Sequence, residues 1–175
     1  SLSKNYDSLL MWSYYNCHKG VCIGIDLEKA DKYLSRIWGS IILGYLKFEV
    51  RYRDIIEKPD FFKREEDLWT YQLSTKGKVW EHEQEVRLVI VDPSMMTPYY
   101  VPKEFDKKEI VDYKEIRFVP KIGGECFNSV YLGVNIDDDI KKQIINTAKR
   151  LNPEIKIYQM KVDANAFKLH TEQII

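Results

Sequence analysis

Polar and apolar residues alternate most regularly between Tyr45 and Arg53. Along this segment, one set of alternate positions is apolar or aromatic and the other charged: Leu46, Phe48, Val50 and Tyr52 against Lys47, Glu49, Arg51 and Arg53. Successive side chains of a β-strand point to opposite faces, so the alternation predicts a strand with one buried and one solvated face. A strand of this kind is typical of antiparallel pairing.

A second strand is predicted where Glu83, Glu85 and Arg87 give way to an apolar run that begins at Val89. If the strand begins at Glu83, the three charged side chains share one face. The β-branched residues that follow favour a strand buried on both faces. Two carboxylates and one guanidinium are therefore expected together at the start of this strand.

The chain begins with the pattern of a helix. Asn5 or Asp7 is predicted to cap this helix, and Gly20 is predicted to end it in a left-handed conformation. Trp12 and Tyr15 are three residues apart, so we expect them on one helical face.

Alternating strand and helix signals continue through the next part of the chain. The apolar segment 21–27 predicts a central strand, in which Gly24 allows another backbone or a ligand to approach closely. Further elements are indicated by apolar periodicity and by proline and glycine positions: helices over 28–38 and 60–74, and short strands over 96–101, 115–119 and 129–133.

The carboxy-terminal part predicts a strand, helix, strand unit. Three aspartates at 137–139 place negative charge at the start of a predicted helix. The apolar stripe of this helix is formed by Ile140, Ile144, Ala148 and Leu151. Pro153 follows the end of this helix, and 155–162 returns as a strand. We expect this strand to lie parallel to 129–133.

These elements together predict an α+β fold. We expect a central, mostly antiparallel sheet with flanking helices and the carboxy-terminal strand, helix, strand unit. A chain of 175 residues with 45% hydrophobic residues is sufficient for one domain with a proper core. The prediction is therefore a single domain over 1–175.

Charge and cysteine content narrow the classes of partner. Lys+Arg and Asp+Glu both total 27, which disfavours nucleic acid or an anionic membrane as the partner. The three cysteines, Cys17, Cys22 and Cys126, lack C-x-x-C spacing, so neither a disulfide framework nor a metal site is expected.

No apolar run approaches the roughly 20 residues that cross a bilayer, and no signal-peptide pattern is found. A soluble, cytoplasmic protein is predicted.

Glu83, Glu85 and Arg87 are the candidate catalytic residues, and two interpretations of them are open. Glu83 and Arg87 could form an ion pair, which is worth little when exposed. Alternatively, Lys76, Lys78 and Arg87 could bind a phosphate as easily as they could bind Glu83. Walker loops, nucleophile elbows, H-E-x-x-H and G-x-G-x-x-G are absent from the sequence, so hydrolase and ordinary nucleotide-fold functions lack support.

Trp12, Tyr15, His18 and Trp80 are the candidate residues for holding a ligand. Trp12 and Tyr15 could supply an aromatic wall, although such residues at helical spacing are more often part of the core, and core packing is the stronger interpretation of Trp12. His18 could act as an acid or base near neutral pH, or complement the dipole at a helix end.

Two separated groups of motifs carry a family resemblance. The first comprises Ser1-Leu2-Ser3, 11–15 and 18–24; the second comprises Lys76 or Lys78, Trp80, Glu83-Gln84-Glu85 and Arg87-Leu88, with 130–133 following. Through these motifs most of the chain resembles bacterial proteins carrying the domain of unknown function 2971. That family usually begins with a further segment ending near an Asn-Asp-Pro-Phe motif, so the resemblance and the missing initial methionine predict a chain truncated at its amino terminus.

The Glu-x-Glu motif is also similar to that of ADP-ribosyltransferases. This resemblance implies that Glu85 stabilises a developing oxocarbenium ion, that Glu83 orients the acceptor and that NAD is the substrate. It implies an enzyme of phage defence or toxicity, with its dinucleotide-gripping residues before Ser1. The alternative is a non-catalytic ligand-binding or protein-interaction domain in which Glu and Arg residues form a buried structural network.

Overall fold

The computed structural model describes residues 1–38, 45–56, 60, 62, 68–90 and 122–175. Its strands are β1 (Leu2–Ser3), β2 (Val21–Ile25), β3 (Tyr45–Glu49), β4 (Arg51–Arg53), β5 (Thr75–Gly77), β6 (Glu85–Ile90), β7 (Phe127–Leu132), β8 (Lys156–Val162) and β9 (Leu169–Gln173). Its helices are α1 (Leu9–Asn16), α2 (Leu27–Trp38), α3 (Leu68–Ser74) and α4 (Asp138–Leu151), with 3-10 helices at Lys78–Glu83 and Gly124–Cys126.

Mostly antiparallel strand pairs and several helices confirm the α+β prediction. In the described residues the strands form a four-stranded sheet in the order β2-β7-β8-β9, a three-stranded sheet in the order β1-β6-β3, and the pair β4-β5. The predicted parallel pair is confirmed, because Ser129 lies opposite Lys156 and Leu132 opposite Gln159 in a parallel register. Strand β9, which the sequence analysis did not predict, pairs antiparallel with β8.

One face of the four-stranded sheet packs against α4. The buried residues of this core are Val130, Leu132, Ala148, Ile155 and Ile157, with Ile144 and Ile145 packed against them. Burial of such side chains contributes roughly 1.5–3 kcal/mol each before entropy is counted. This apolar layer is the part of the fold that holds β7 and β8 in register.

Helix α4 begins where the aspartates predicted it. The Asp137 carboxylate accepts hydrogen bonds from the backbone N–H groups of Asp139 at 2.9 Å and Ile140 at 3.2 Å. The predicted apolar stripe is wrong at both ends, because Ile140 and Leu151 are 47% and 54% exposed. The sheet is covered by the middle of the helix only, so the first and last turns extend past the core.

The other face of the four-stranded sheet contains a second core, formed by the buried residues Trp12, Met160 and Leu169. Beside it, the rings of Tyr6 and Tyr158 stack on opposite sides of Tyr131, with centroids 4.4 and 5.0 Å away. Cys22 lies opposite Tyr131 in the β2–β7 register. Helix α1 is therefore attached to the sheet through Trp12.

Helix α1 differs from its prediction at both ends. Ser8, and not Asn5 or Asp7, caps it, because the Trp12 indole donates a hydrogen bond to the Tyr6 carbonyl and the preceding segment is held outside the helix. The helix ends in left-handed residues at Cys17 and His18, with φ of 47° and 62°, rather than at Gly20.

Trp12 and Tyr15 do not share a face of α1. Trp12 is 8% exposed and Tyr15 is 68% exposed. Residues three apart differ by about 60° around a helix, and a helix of two turns packs on the sheet along a narrow line. Tyr15 therefore points away from the core.

Strand β2 is an edge strand in the described sheet, so the prediction of a central strand over 21–27 is wrong. Its apolar residues Val21 and Ile23 are 36% and 51% exposed. The predicted close approach at Gly24 is confirmed, since a Cβ added there would lie 2.0 Å from the Ser129 hydroxyl. Apolar composition alone did not distinguish an edge strand from a central one.

The alternating segment 45–53 is interrupted at Val50 and is not one strand. Strand β3 pairs antiparallel with β6, as predicted, but β4 leaves that sheet and pairs parallel with β5. The buried Val50 donates its N–H to the Glu85 carbonyl at 3.0 Å, so the change of partner occurs directly beside the start of β6.

Several predicted elements fall outside the described residues. These are the strands over 96–101 and 115–119 and positions 61 and 63–67 of the helix predicted over 60–74. Helix α2 closely matches its predicted range, and the described helix of the 60–74 segment is α3. Among the helices that the structure describes, none is both long and apolar enough to cross a membrane.

Candidate functional site

Glu83 and Glu85 lie on either side of a left-handed turn at Gln84. Gln84 has φ 45°, its N–H donates to the Glu81 carbonyl at 3.2 Å, and its own carbonyl accepts from the Lys4 N–H at 3.1 Å. The strand therefore begins at Glu85, and the prediction that it begins at Glu83 is wrong. Glu83 is the last residue of the preceding 3-10 helix.

The two carboxylates nevertheless converge, because Lys76 binds both of them. Lys76 Nζ donates to Glu83 Oε2 and, at 3.1 Å, to Glu85 Oε2. Arg87 donates from Nε to Glu85 Oε1 at 2.9 Å and from Nη2 to Glu85 Oε2 at 3.3 Å. The Tyr15 hydroxyl donates to Glu83 Oε1 at 3.1 Å. Each of the four carboxylate oxygens thus accepts a hydrogen bond from the protein.

We call Lys76, Glu83, Glu85 and Arg87 the ion network. Glu83 and Glu85 are 5% and 7% exposed, whereas about a quarter of the Lys76 and Arg87 side chains is exposed. A buried carboxylate costs several kcal/mol unless it is paired. Glu85 is buried and Arg87 half-buried, and each has a partner of opposite charge.

Protonation within the network follows from these contacts. Burial alone would raise the pKa of Glu85, but hydrogen bonds from Arg87, Ser1 and Lys76 outweigh it and lower this pKa to about 2. Burial alone would lower the pKa of Lys76, but the hydrogen bonds and charges of Glu83 and Glu85 raise it. Glu85 is therefore an anion and Lys76 a cation at neutral pH.

Backbone and hydroxyl groups hold the network in place. Arg87 Nη1 also donates to the carbonyls of Leu73 at 2.9 Å and Gln72 at 3.3 Å, at the end of α3. The Tyr52 hydroxyl accepts from the Glu85 N–H at 2.7 Å, and the Ser3 hydroxyl donates to the Glu83 carbonyl at 2.7 Å. Sequence reasoning missed Tyr52 and named Ser3 only as part of a family motif, since only the strand register and the turn at Gln84 bring them here.

An exposed set of rings lies beside the ion network. The Trp80 centroid is 5.3 Å from Lys76 Nζ, and the His82 centroid is 6.1 Å from those of both Trp80 and Tyr14. Tyr14 and Tyr15 are more than two-thirds exposed and Trp80 is 44% exposed. We call Tyr14, Tyr15, Trp80 and His82 the aromatic surface.

The structure divides the four candidate ligand-holding residues into two places. Tyr15 and Trp80 contact the ion network. Trp12 belongs to the core beside Met160, as the stronger interpretation of it predicted. His18 Nε2 lies 2.9 Å from the Ser13 hydroxyl, and in the part of the chain that the structure describes no hydrogen bond or ion pair joins His18 to the network.

Within the described ranges, no group of three or more His, Cys, Asp or Glu side chains is placed so that it could hold a metal ion.

Comparison of the chain with protein-family models, curated proteins and solved structures found no match. The resemblances drawn from its motifs therefore stay predictions.

Proposed function

We propose that this chain is a non-catalytic ligand-binding domain in which the ion network is structural. The observation that carries the proposal is that all four oxygens of Glu83 and Glu85 already accept hydrogen bonds from Tyr15, Lys76 or Arg87. Each carboxylate oxygen can accept more than one hydrogen bond, as Glu85 Oε2 does, but the present donors fix both carboxylates, and movement of either one towards a substrate would break bonds. Breaking one partner away from a buried charge typically costs 3–5 kcal/mol.

The surface for binding is the aromatic surface, because it offers exposed rings next to the rigid network. Ligand sites commonly combine apolar and aromatic walls with a few fixed polar groups. Tyr15 links the aromatic surface to the ion network, since its ring is exposed and its hydroxyl donates a hydrogen bond to Glu83. Ligand binding here would use the rings for contact and the network for orientation.

The test compares Glu85→Gln with the matched control Glu81→Gln, whose side chain is exposed. If the network is structural, Glu85→Gln lowers the free energy of unfolding clearly and Glu81→Gln does not, as measured by urea denaturation. Normal stability of Glu85→Gln would overturn the proposal.

An ADP-ribosyltransferase is the second candidate, favoured by one observation. Glu83 and Glu85 both accept hydrogen bonds from Lys76, and the exposed rings of Tyr15 and Trp80 lie beside them. A nicotinamide ring could stack on these rings. In this function Glu85 stabilises the oxocarbenium ion formed when the bond to nicotinamide breaks. The chain would then belong with the bacterial proteins of domain of unknown function 2971 and act in phage defence or toxicity.

This second candidate makes the opposite prediction for the same variants. In a protein that also carries the residues expected before Ser1, release of nicotinamide from NAD, measured by chromatography, should be lost in Glu85→Gln and kept in Glu81→Gln, with the stability of both close to that of the parent. Clear loss of stability in Glu85→Gln supports the structural function instead.

A further inference from the structure

The two edges of the four-stranded sheet differ in their charge. Strands β2 and β9 form these edges in the part of the chain that the structure describes. Strand β9 carries the exposed residues His170 and Glu172, whereas the segment Val21–Ile25 that forms β2 contains neither a charged residue nor a proline. Charged residues and prolines commonly prevent an edge strand from pairing with another chain. Strand β2 is therefore the edge that is open to further pairing.

Every second residue of β2 directs its backbone polar groups away from β7. At the two ends of the pairing, the Gly20 carbonyl accepts from the Gly133 N–H at 2.9 Å, and the Asp26 N–H donates to the Cys126 carbonyl at 2.8 Å. In an antiparallel pair, residues that bond to the neighbouring strand alternate with residues that face away from it. The residues of β2 that face away from β7 are therefore the odd-numbered ones, Val21, Ile23 and Ile25.

Val21 and Ile23 also place apolar side chains at this edge. They lie opposite Leu132 and Val130 in the β2–β7 register, so their side chains are on the face of the sheet that packs against α4. Leu132 and Val130 are buried, whereas Val21 and Ile23 are 36% and 51% exposed. The apolar layer under α4 thus continues to the edge of the sheet, where it is only partly covered.

The residues that flank β2 carry opposite charges at its two ends. The exposed Lys19 precedes the strand, while the partly exposed Asp26 and the exposed Glu28 follow it. Antiparallel pairing of two β2 strands would place the basic end of each strand beside the acidic end of the other, whereas parallel pairing would bring like charges together. The charge pattern therefore fits a second copy of this chain in antiparallel orientation.

We propose that β2 is a self-association site, at which two copies of this chain pair their β2 strands antiparallel about Ile23. The two four-stranded sheets would then form one continuous sheet, and the Val21 and Ile23 side chains of both copies would cover one another. The same patch is used on each copy, so the contact closes after two chains. This site shares no residue with the ion network or the aromatic surface, and it goes beyond the proposed function.

Sedimentation equilibrium of the full chain tests the association. One strand pair with few side chains makes a small interface, so we expect a dimer with a dissociation constant on the order of 10 µM. Ile23→Lys places a charge on the open edge and should raise this constant at least about tenfold. The matched control is Val162→Lys, because Val162 is 62% exposed on β8, a strand that β7 separates from β2. It should change the constant by less than about twofold.

Amide hydrogen exchange, followed by nuclear magnetic resonance, identifies the edge without any substitution. The N–H groups of Val21, Ile23 and Ile25 should become protected as the protein concentration rises, because they bond to the second copy only in the dimer. The N–H groups of Cys22 and Gly24 face β7, so their protection should not depend on concentration. This alternation remains a test even if Ile23→Lys does not fold.

Lys19→Glu tests the charge pattern. It places an acidic residue beside Asp26 of the second copy and should raise the dissociation constant about fivefold. The proposal is overturned if the chain remains a monomer at about 1 mM, a hundred times the expected constant. It is also overturned if a folded Ile23→Lys associates like the parent, if assembly continues beyond dimers, or if odd-numbered and even-numbered amides respond alike. None of these outcomes depends on the stability of Glu85→Gln, which tests the proposed function.

Discussion

The four-stranded and three-stranded sheets both bury side chains, but the buried side chains differ in kind. The four-stranded sheet packs apolar side chains on both faces, with Leu132, Ile157 and Met160 fully buried. The three-stranded sheet buries Glu83 and Glu85 beside its β6 strand and compensates them with Lys76 and Arg87. Apolar burial requires close packing alone, whereas a buried charge also requires a partner of opposite charge.

The largest effect is expected in the apolar core. Ile157→Ala removes a fully buried side chain from β8 and should lower the free energy of unfolding by about 3 kcal/mol through lost burial and a cavity. Val162→Ala on the same strand is the control, because Val162 is 62% exposed and should lose under about 1 kcal/mol. Urea denaturation measures both, and equal losses would show that β8 is not the centre of the core.

Removing one charge from the ion network should have the next largest effect. Glu85→Gln keeps the size of the side chain but places an amide group against the donors of Lys76 and Arg87, at a cost of roughly 2 kcal/mol. A double-mutant cycle with Arg87→Met measures how much of this loss belongs to the pair. Simple additivity of the two losses would contradict a coupled network.

Acid should weaken the two regions unequally. The pKa of Glu85 is lowered from 4.5 to about 2, so its stabilisation is complete above pH 4.5 and is lost as the pH falls towards 2. The shift sets an upper limit of roughly 3 kcal/mol, and partial exposure of Lys76 and Arg87 should reduce it to about 1.5 kcal/mol. Denaturation curves of the parent and Glu85→Gln should therefore converge between these pH values, and parallel curves would contradict the lowered pKa.

The apolar region was largely predictable from sequence. The aspartates at 137–139 and the apolar periodicity of the helix after them predicted α4, and two flanking β-branched segments predicted its parallel strands. These signals are local, and a helix between two neighbouring strands is the crossover connection that parallel pairing requires. Which turns of α4 contact the sheet was not predictable, because that depends on where the strands end.

For the ion network, the sequence predicted which charged residues take part but not the geometry that brings them together. The pattern placed Glu83, Glu85 and Arg87 together, but it did so through a strand that begins two residues too early. Their convergence depends on the left-handed Gln84 and on Lys76 from β5. A positive φ at glutamine has no sequence signature, and although Lys76 is only seven residues from Glu83 and nine from Glu85, the sequence does not show that one ammonium binds both carboxylates.

The smallest effect should be at the outer edge of the network, where it meets the aromatic surface. Tyr15→Phe removes the hydroxyl that donates to Glu83, but the ring is 68% exposed and water can replace the bond. We expect a loss of only a few tenths of a kcal/mol, close to that of the exposed control Tyr14→Phe. The bond to Glu83 raises the pKa of Tyr15, so its contribution is present at neutral pH and fades as the pH rises above 10. A loss near that of Glu85→Gln would mean that Glu83 depends on this bond and that the aromatic surface is part of the folding core.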